Sequence, residues 1–468
     1  CITIATASDF GLVQKNNKVP SLPSSLHRRA NVPENKKHVS NKNPLKNDVR
    51  GGDGGTATIP NEIFNLVKSI VGAGVLSLPA GIAAFGNAPS AILPAVSLIG
   101  VIGAVAAYDF SLIGRVCSYT GAVSYRDAWD KTVGTDSSWL PATFKAFNCL
   151  AANLAYSMIL ADTFKDLFST FGLDVSRTNA LLGVSTLVIL PLCLMKNLSS
   201  LAPFSLLGIA GMGYLALAMA VRYFGGDYSM PDGKFVQDVA AELQPVFGDK
   251  GASSVLHPSS FILICMLSTA YLAHFNAPNF YNELIDNTVA RFNTVTYSSF
   301  AISILIFGIV ASLGFLTFGS ASSGLILNNY STNDTLMTLS RVAVALSIVF
   351  SYPLVFVGTR DGILDLANVP QENRNNAMLN NHTFVLIGIL TALALKVKDL
   401  SFVLSFAGAT MGNALIYVFP ALMFRSAVKN MDGDVAASLK GEVNFAMFAA
   451  VLGVVMGAIG VKMALDAL

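Results

Sequence analysis

An all-α polytopic membrane protein of about eleven transmembrane helices is the fold this sequence predicts, and three observations predict it. Hydrophobic residues fill 53% of the 468 positions and charged residues only 12%, about half the charge of an ordinary soluble domain. From Ile59 onward, apolar stretches recur that match the roughly 20-residue helix needed to cross a hydrocarbon core. Two of them, the first and the sixth, carry helix-breaking or polar residues at their centres.

Residues 1–58 hold nine Lys or Arg against four Asp or Glu, with many Asn, Ser, Gly and Pro. They read as a disordered basic cytosolic tail ahead of a transmembrane domain at 59–468. The spans are expected near 61–85, 90–116, 142–168, 178–195, 199–221, 256–282, 292–318, 336–358, 382–397, 400–424 and 443–466. The ninth is the weakest, because only thirteen residues separate His382 from Lys396. A shortened or re-entrant piece there would reduce the count to ten.

With the tail in the cytosol and the spans alternating, 20 of the 30 Lys and Arg fall on the inner side and nine on the outer. Lys68 lies within the first span. Lys and Arg near spans are retained in the cytosol, so this supports a cytosolic N-terminus, although the tail supplies nine of the twenty. Glycosylation sequons begin at Asn197, Asn329, Asn333 and Asn381, and only Asn329 and Asn333 fall on the outer side. Chance sequons are common, so they decide little.

The basic residues are spread among loops, which argues against a nucleic-acid partner and leaves the lipid bilayer as the expected surroundings. Cys1, Cys117, Cys149, Cys193 and Cys265 show no metal-site or disulfide spacing, and no cofactor is expected. The glycine-rich GGDGGTATIP lacks the Lys of a phosphate loop, and there is no HExxH or His-x4-Asp motif, so an enzyme is not expected. The chain opens on Cys1 rather than Met, which leaves room for a preceding targeting signal. Plasma membrane and vacuolar or lysosomal membrane are therefore both kept.

The first span, NEIFNLVKSIVGAGVLSLPAGIAAF, crowds Gly72, Gly74, Pro79 and Gly81 into its middle and should not stay one regular helix. The sixth, FILICMLSTAYLAHFNAPNFYNELI, carries His274, Asn276, Pro278 and Asn279, and should break too. Breaks five spans apart are what an inverted repeat of five plus five helices produces, with a binding site between them at mid-membrane. Unwound N–H groups at a positive half-helix end can hold a carboxylate, and freed C=O groups an ammonium. Close packing through small residues is the alternative account of Gly72 and Gly74.

These residues resemble the amino acid/auxin permease family, within the amino acid, polyamine and organocation superfamily. The resemblance is carried by FNLVKSIVGAGVLSLPAGI at 64–82, AYSMILAD at 155–162, HFNAPNFYNEL at 274–284, FSYPLVFVGTRDGI at 350–363 and SFAGATMGNALIYVFPALMF at 405–424. It implies a broken-helix transport fold with an added eleventh span, amino-acid substrates, and coupling to a proton or sodium gradient. By position it implies that Gly72, Ala73 and Gly74 hold the substrate carboxylate, and that Ala273, His274, Phe275, Asn276 and Ala277 line the facing wall. Tyr156 is placed to cap or gate the substrate, with packing or interfacial anchoring as the alternative.

Asp162 is a candidate for gating or a proton path, against a helix-end carboxylate that simply reaches water. Ser347 and Ser351 mark where sodium-coupled members place oxygens on span eight, although such serines often bond their own backbone. Lys68 lies four residues before Gly72, where sodium-coupled relatives have an Asn. An ammonium 4 Å from a sodium site would repel the ion by roughly 4 kcal/mol at an effective dielectric near 20.

Lys68 is therefore expected to replace the ion's charge or to carry the proton itself, with snorkelling of its long stem as the alternative. His274 is a second possible proton site, against a role in satisfying backbone carbonyls. The expected function is secondary amino-acid transport, proton-coupled or sodium-independent. Sodium symport and an amino-acid-sensing receptor on a transporter fold are kept beside it.

Overall fold

The computed structural model describes residues 55–195, 205–367, 369 and 373–466, with the side chains of 205–207 outside that description. The expected tail lies outside the described residues up to position 54, as does the sequon at Asn197. Residues 55–58 run along the end of span six: the Ala57 N–H donates to the Glu283 carbonyl at 3.0 Å, and the Ile285 N–H to the Ala57 carbonyl at 2.9 Å.

Nine helices among the described residues are long and apolar enough to cross a membrane, and a bent pair makes a tenth. That pair is span one, Ile59–Ile70 and Ala73–Ala83, bent by 44°. The others are span two, Pro89–Thr120; three, Thr135–Thr170; four, Arg177–Leu194; six, Ser260–Glu283; seven, Val289–Phe318; eight, Thr335–Leu366; nine, Asn376–Lys396; ten, Leu400–Lys429; and eleven, Lys440–Asp466. Between four and six lies the shorter apolar helix Ser205–Phe224, in the place of span five.

Local chemistry explains where these helices start and stop. Gly121 closes span two in the left-handed conformation (φ 63°), its N–H bonded to the Cys117 carbonyl. The Asp334 carboxylate caps span eight by accepting from the Leu336 and Met337 N–H groups. Span nine is a full helix of 21 residues, not a shortened piece. Asn375 caps it by accepting from the Met378 N–H, and its first turns hold Asn380, Asn381 and His382. Those polar residues make the apolar stretch look short.

The broken spans sit at the centre of the packing. Span six is the most enclosed of the nine crossings other than span one, and span nine the least. Span ten packs its backbone on span six through Gly408 and Gly412: a Cβ at Gly408 would sit on the Cys265 carbonyl, and one at Gly412 would lie 3.4 Å from Ser268. Span ten also widens into two successive π-turns at Gly408–Gly412 and Ala414–Val418. The segment after span seven folds over span one, where the Ser77 hydroxyl donates to the Gly324 carbonyl.

Candidate functional site

Span one stops being helical after Ile70. The Gly72 N–H turns back to the Ile70 carbonyl at 3.0 Å, and the helix restarts at Ala73 with no side chain capping its first N–H groups. The two glycines at this break do different work. A Cβ at Gly74 would lie 3.4 Å from both Cα and Cβ of Ala270, so Gly74 lets spans one and six approach closely. A Cβ at Gly72 would meet only the Tyr156 hydroxyl, at 4.0 Å. Its missing side chain leaves a gap.

A cavity of about 50 Å³, room for about three waters, occupies that gap. Span one lines it with Ile70, Gly72, Ala73 and Gly74, and span three with Asn148, Ala151, Ala152, Ala155, Tyr156 and Ile159. Thr269 and Ala270 of span six and Leu404 and Ala407 of span ten complete the wall. None of these side chains is charged. The charge at the site is that of the helix ends: the restart at Ala73 presents a positive end, and the stops at Ile70 and Ala270 present negative ones. Such a site can hold a small zwitterion by its two ends.

Of the residues predicted from sequence, Gly72, Ala73, Gly74 and Tyr156 meet at this cavity. Ala273, His274, Phe275, Asn276 and Ala277 do not line it, and span six reaches it instead through Thr269 and Ala270, about one turn earlier. His274 is buried with Nε2 2.9 Å from the Ala106 carbonyl of span two, its ring edge-on to Phe110 and Phe300. The Phe275 ring lies 5.5 Å from the Lys145 ammonium. Large side chains thus refill the break that their backbone makes.

Asp162 is ion-paired to Arg177 at 2.6 Å and accepts from Asn328 at 3.4 Å. Lys68 is 4% exposed and makes no hydrogen bond or ion pair with the described residues. Ser347 is half-buried with its hydroxyl turned to Gly208 of span five, where a Cβ would sit 2.6 Å from it. Ser351 is buried, and its hydroxyl has no hydrogen-bond partner among the described residues.

The lining residues that sequence reasoning misses are Ile70, Asn148, Ala151, Ala152, Ala155, Ile159, Thr269, Ala270, Leu404 and Ala407. One signal for them is present: Ala151, Ala152 and Ala155 put a small-residue face at helical spacing beside Tyr156.

A family model described as transmembrane amino acid transporter protein matches residues 55–465. Putative sodium-coupled neutral amino acid transporter 11 of Danio rerio is 26% identical, over 80% of this chain and 80% of its own length. Solute carrier family 38 member 8 of Mus musculus is 26% identical, over 82% of this chain and 88% of its own. The inward-facing conformation of Mhp1 superposes with a TM-score of 0.57 at 9% identity, covering 89% of this chain and 92% of that one, which shows a shared fold. Broken spans at positions one and six on that fold fit the predicted five-plus-five repeat with one helix added. The protein is a multi-pass membrane transporter of amino acids and not an enzyme, and the chain belongs to the transmembrane amino acid transporter protein family.

Proposed function

We propose that this chain carries a small, neutral amino acid between the ends of the broken spans, and that it does so without sodium, coupled to protons. The uncharged cavity beside Gly72 carries this reading. Its lining offers no counter-ion for a charged side chain, and its alanines and Tyr156 leave little room beyond a short one. Gly72, Ala73 and Gly74 hold the carboxylate through N–H groups, and the carbonyl ends at Ile70 and Ala270 take the ammonium. The buried Lys68, two residues before the end of the first half-helix, supplies the positive charge that a bound sodium would otherwise bring. The N-terminus faces the cytosol on this reading.

A second reading, sodium symport, is favoured by the unpartnered Ser351 hydroxyl, an oxygen available to an ion, and by the sodium coupling in the relatives' names. Uptake of a panel of labelled amino acids into proteoliposomes, with imposed proton or sodium gradients, separates the two. Small neutral amino acids should enter, and replacing sodium by choline should leave the rate unchanged. Lys68→Asn should lose rate or coupling, while Lys68→Arg should keep activity if only a fixed charge is needed. Uptake that stops in choline would establish sodium symport. Binding without counterflow would identify a sensor.

A further inference from the structure

We propose that Asp109, on span two, is a proton-binding site. Asp109 is fully buried, and neither carboxyl oxygen has a hydrogen-bond partner or an ion pair among the described residues. An ionised carboxylate so placed would have lost its water and gained nothing in return. In this conformation the carboxyl therefore holds a proton.

No charged group among the described residues is paired with the carboxyl, and several on the elements around it are engaged elsewhere. Arg115, on the same helix, pairs with Glu442 of span eleven and lies over the Phe424 ring of span ten. Asp127, on the short helix Tyr125–Thr132, pairs with Lys131 at 2.8 Å. Arg291 of span seven donates to the Ile285 carbonyl, and Glu283, at the end of span six, lies within electrostatic reach of Glu62. His274 of span six has Nε2 on the Ala106 carbonyl, one turn before Asp109.

What remains near the carboxyl is phenolic. Tyr108 is its chain neighbour, with Tyr297 of span seven beyond, and Tyr281 of span six has its hydroxyl at Ser118. Tyr125 donates to the Leu415 carbonyl at 3.1 Å. Tyr417, on the second π-turn of span ten, lies within electrostatic reach of Asp109, and its buried hydroxyl has no hydrogen-bond partner among the described residues. The π-turns that hold Tyr417 depart from the regular helical ladder, as such turns often do at functional positions.

Release of the proton breaks one O–H bond at Asp109 and forms one on the water that accepts it. Release requires the seam between spans two, six and ten to loosen, which alternating access would supply. The role of this proton in coupling rests on the proton-coupled reading above; its presence on Asp109 does not.

Infrared difference spectra of the full chain in lipid nanodiscs at neutral pH test the site directly. With aspartate isotopically labelled, the carbonyl stretch of a protonated aspartate should be present, should be lost in Asp109→Asn and should persist in Glu62→Gln, since Glu62 is a second buried carboxyl without a partner among the described residues. Isotopically labelled aspartate in the wild-type chain assigns the band even if the Asn variant fails to fold. A spectrum without a protonated aspartate overturns the proposal.

For coupling, a mixture of labelled neutral amino acids is offered under an imposed pH gradient. Asp109→Asn should fall to the no-gradient level while keeping counterflow, and wild-type accumulation by that variant would remove Asp109 from coupling. If sodium alone drives the wild type while the aspartate band is present, the proton-coupled reading fails and the proton site stands.

Discussion

In span one the helix stops at Ile70 and resumes at Ala73, and Gly72 to Gly74 are half-exposed to a cavity. In span six it stops at Ala270 and resumes at His274, and every residue from Ala273 to Ala277 is at most 4% exposed. Both breaks free backbone groups from the helical ladder. Only the first leaves them open, because Gly72, Ala73 and Gly74 carry nothing larger than a methyl. In the second, His274 is bonded to the Ala106 carbonyl and Phe275 packs inward. An interrupted span therefore leaves an open cavity only where the residues at the break are too small to fill it.

The sharpest way to break this comparison is Gly72→Val. Because nothing but the Tyr156 hydroxyl faces a Cβ there, the substitution should fold and insert normally while uptake falls roughly a hundredfold, about 2.7 kcal/mol. Unchanged uptake by the inserted variant would mean that the open break is not the site. Gly74→Val should differ in kind. Its branched side chain would press on Ala270, so uptake and thermal stability in detergent should fall together, the latter by about 1–3 kcal/mol.

Span six should respond the other way round. Phe275→Ala should cost about 3 kcal/mol of stability, as truncation of a buried aromatic does, and leave KM within about twofold. A large rise in KM at unchanged stability would show that this break also touches substrate. The smallest effect is expected at Tyr156→Phe, which removes one hydroxyl from the cavity wall. Losing a single hydrogen bond of about 0.5–1.5 kcal/mol should raise KM by at most about tenfold. A loss as deep as that of Gly72→Val would make Tyr156 a gate and not a contact.

Much of the candidate site is legible in the amino-acid sequence. GAG at 72–74 and Tyr156 stand out there, and they do meet at the cavity. The span-six wall lies earlier in the chain than its polar residues suggest. Polarity draws attention to His274 and Asn276, whereas Thr269 and Ala270, one turn earlier, look like any other small residues of an apolar helix. Asp162 reads as a gate or a solvated end, and its partner Arg177 lies 15 positions on, at the start of the next span.

The crossings, the two breaks and the apolar lengths between them follow from local sequence. Each segment's partition into lipid and each helix's tolerance of Gly, Pro or His depend on residues within a turn or two. Packing decides the rest: which break stays open and which cations are already paired. Those outcomes depend on contacts between spans far apart in the chain, and no local pattern encodes which side chain will reach a gap first.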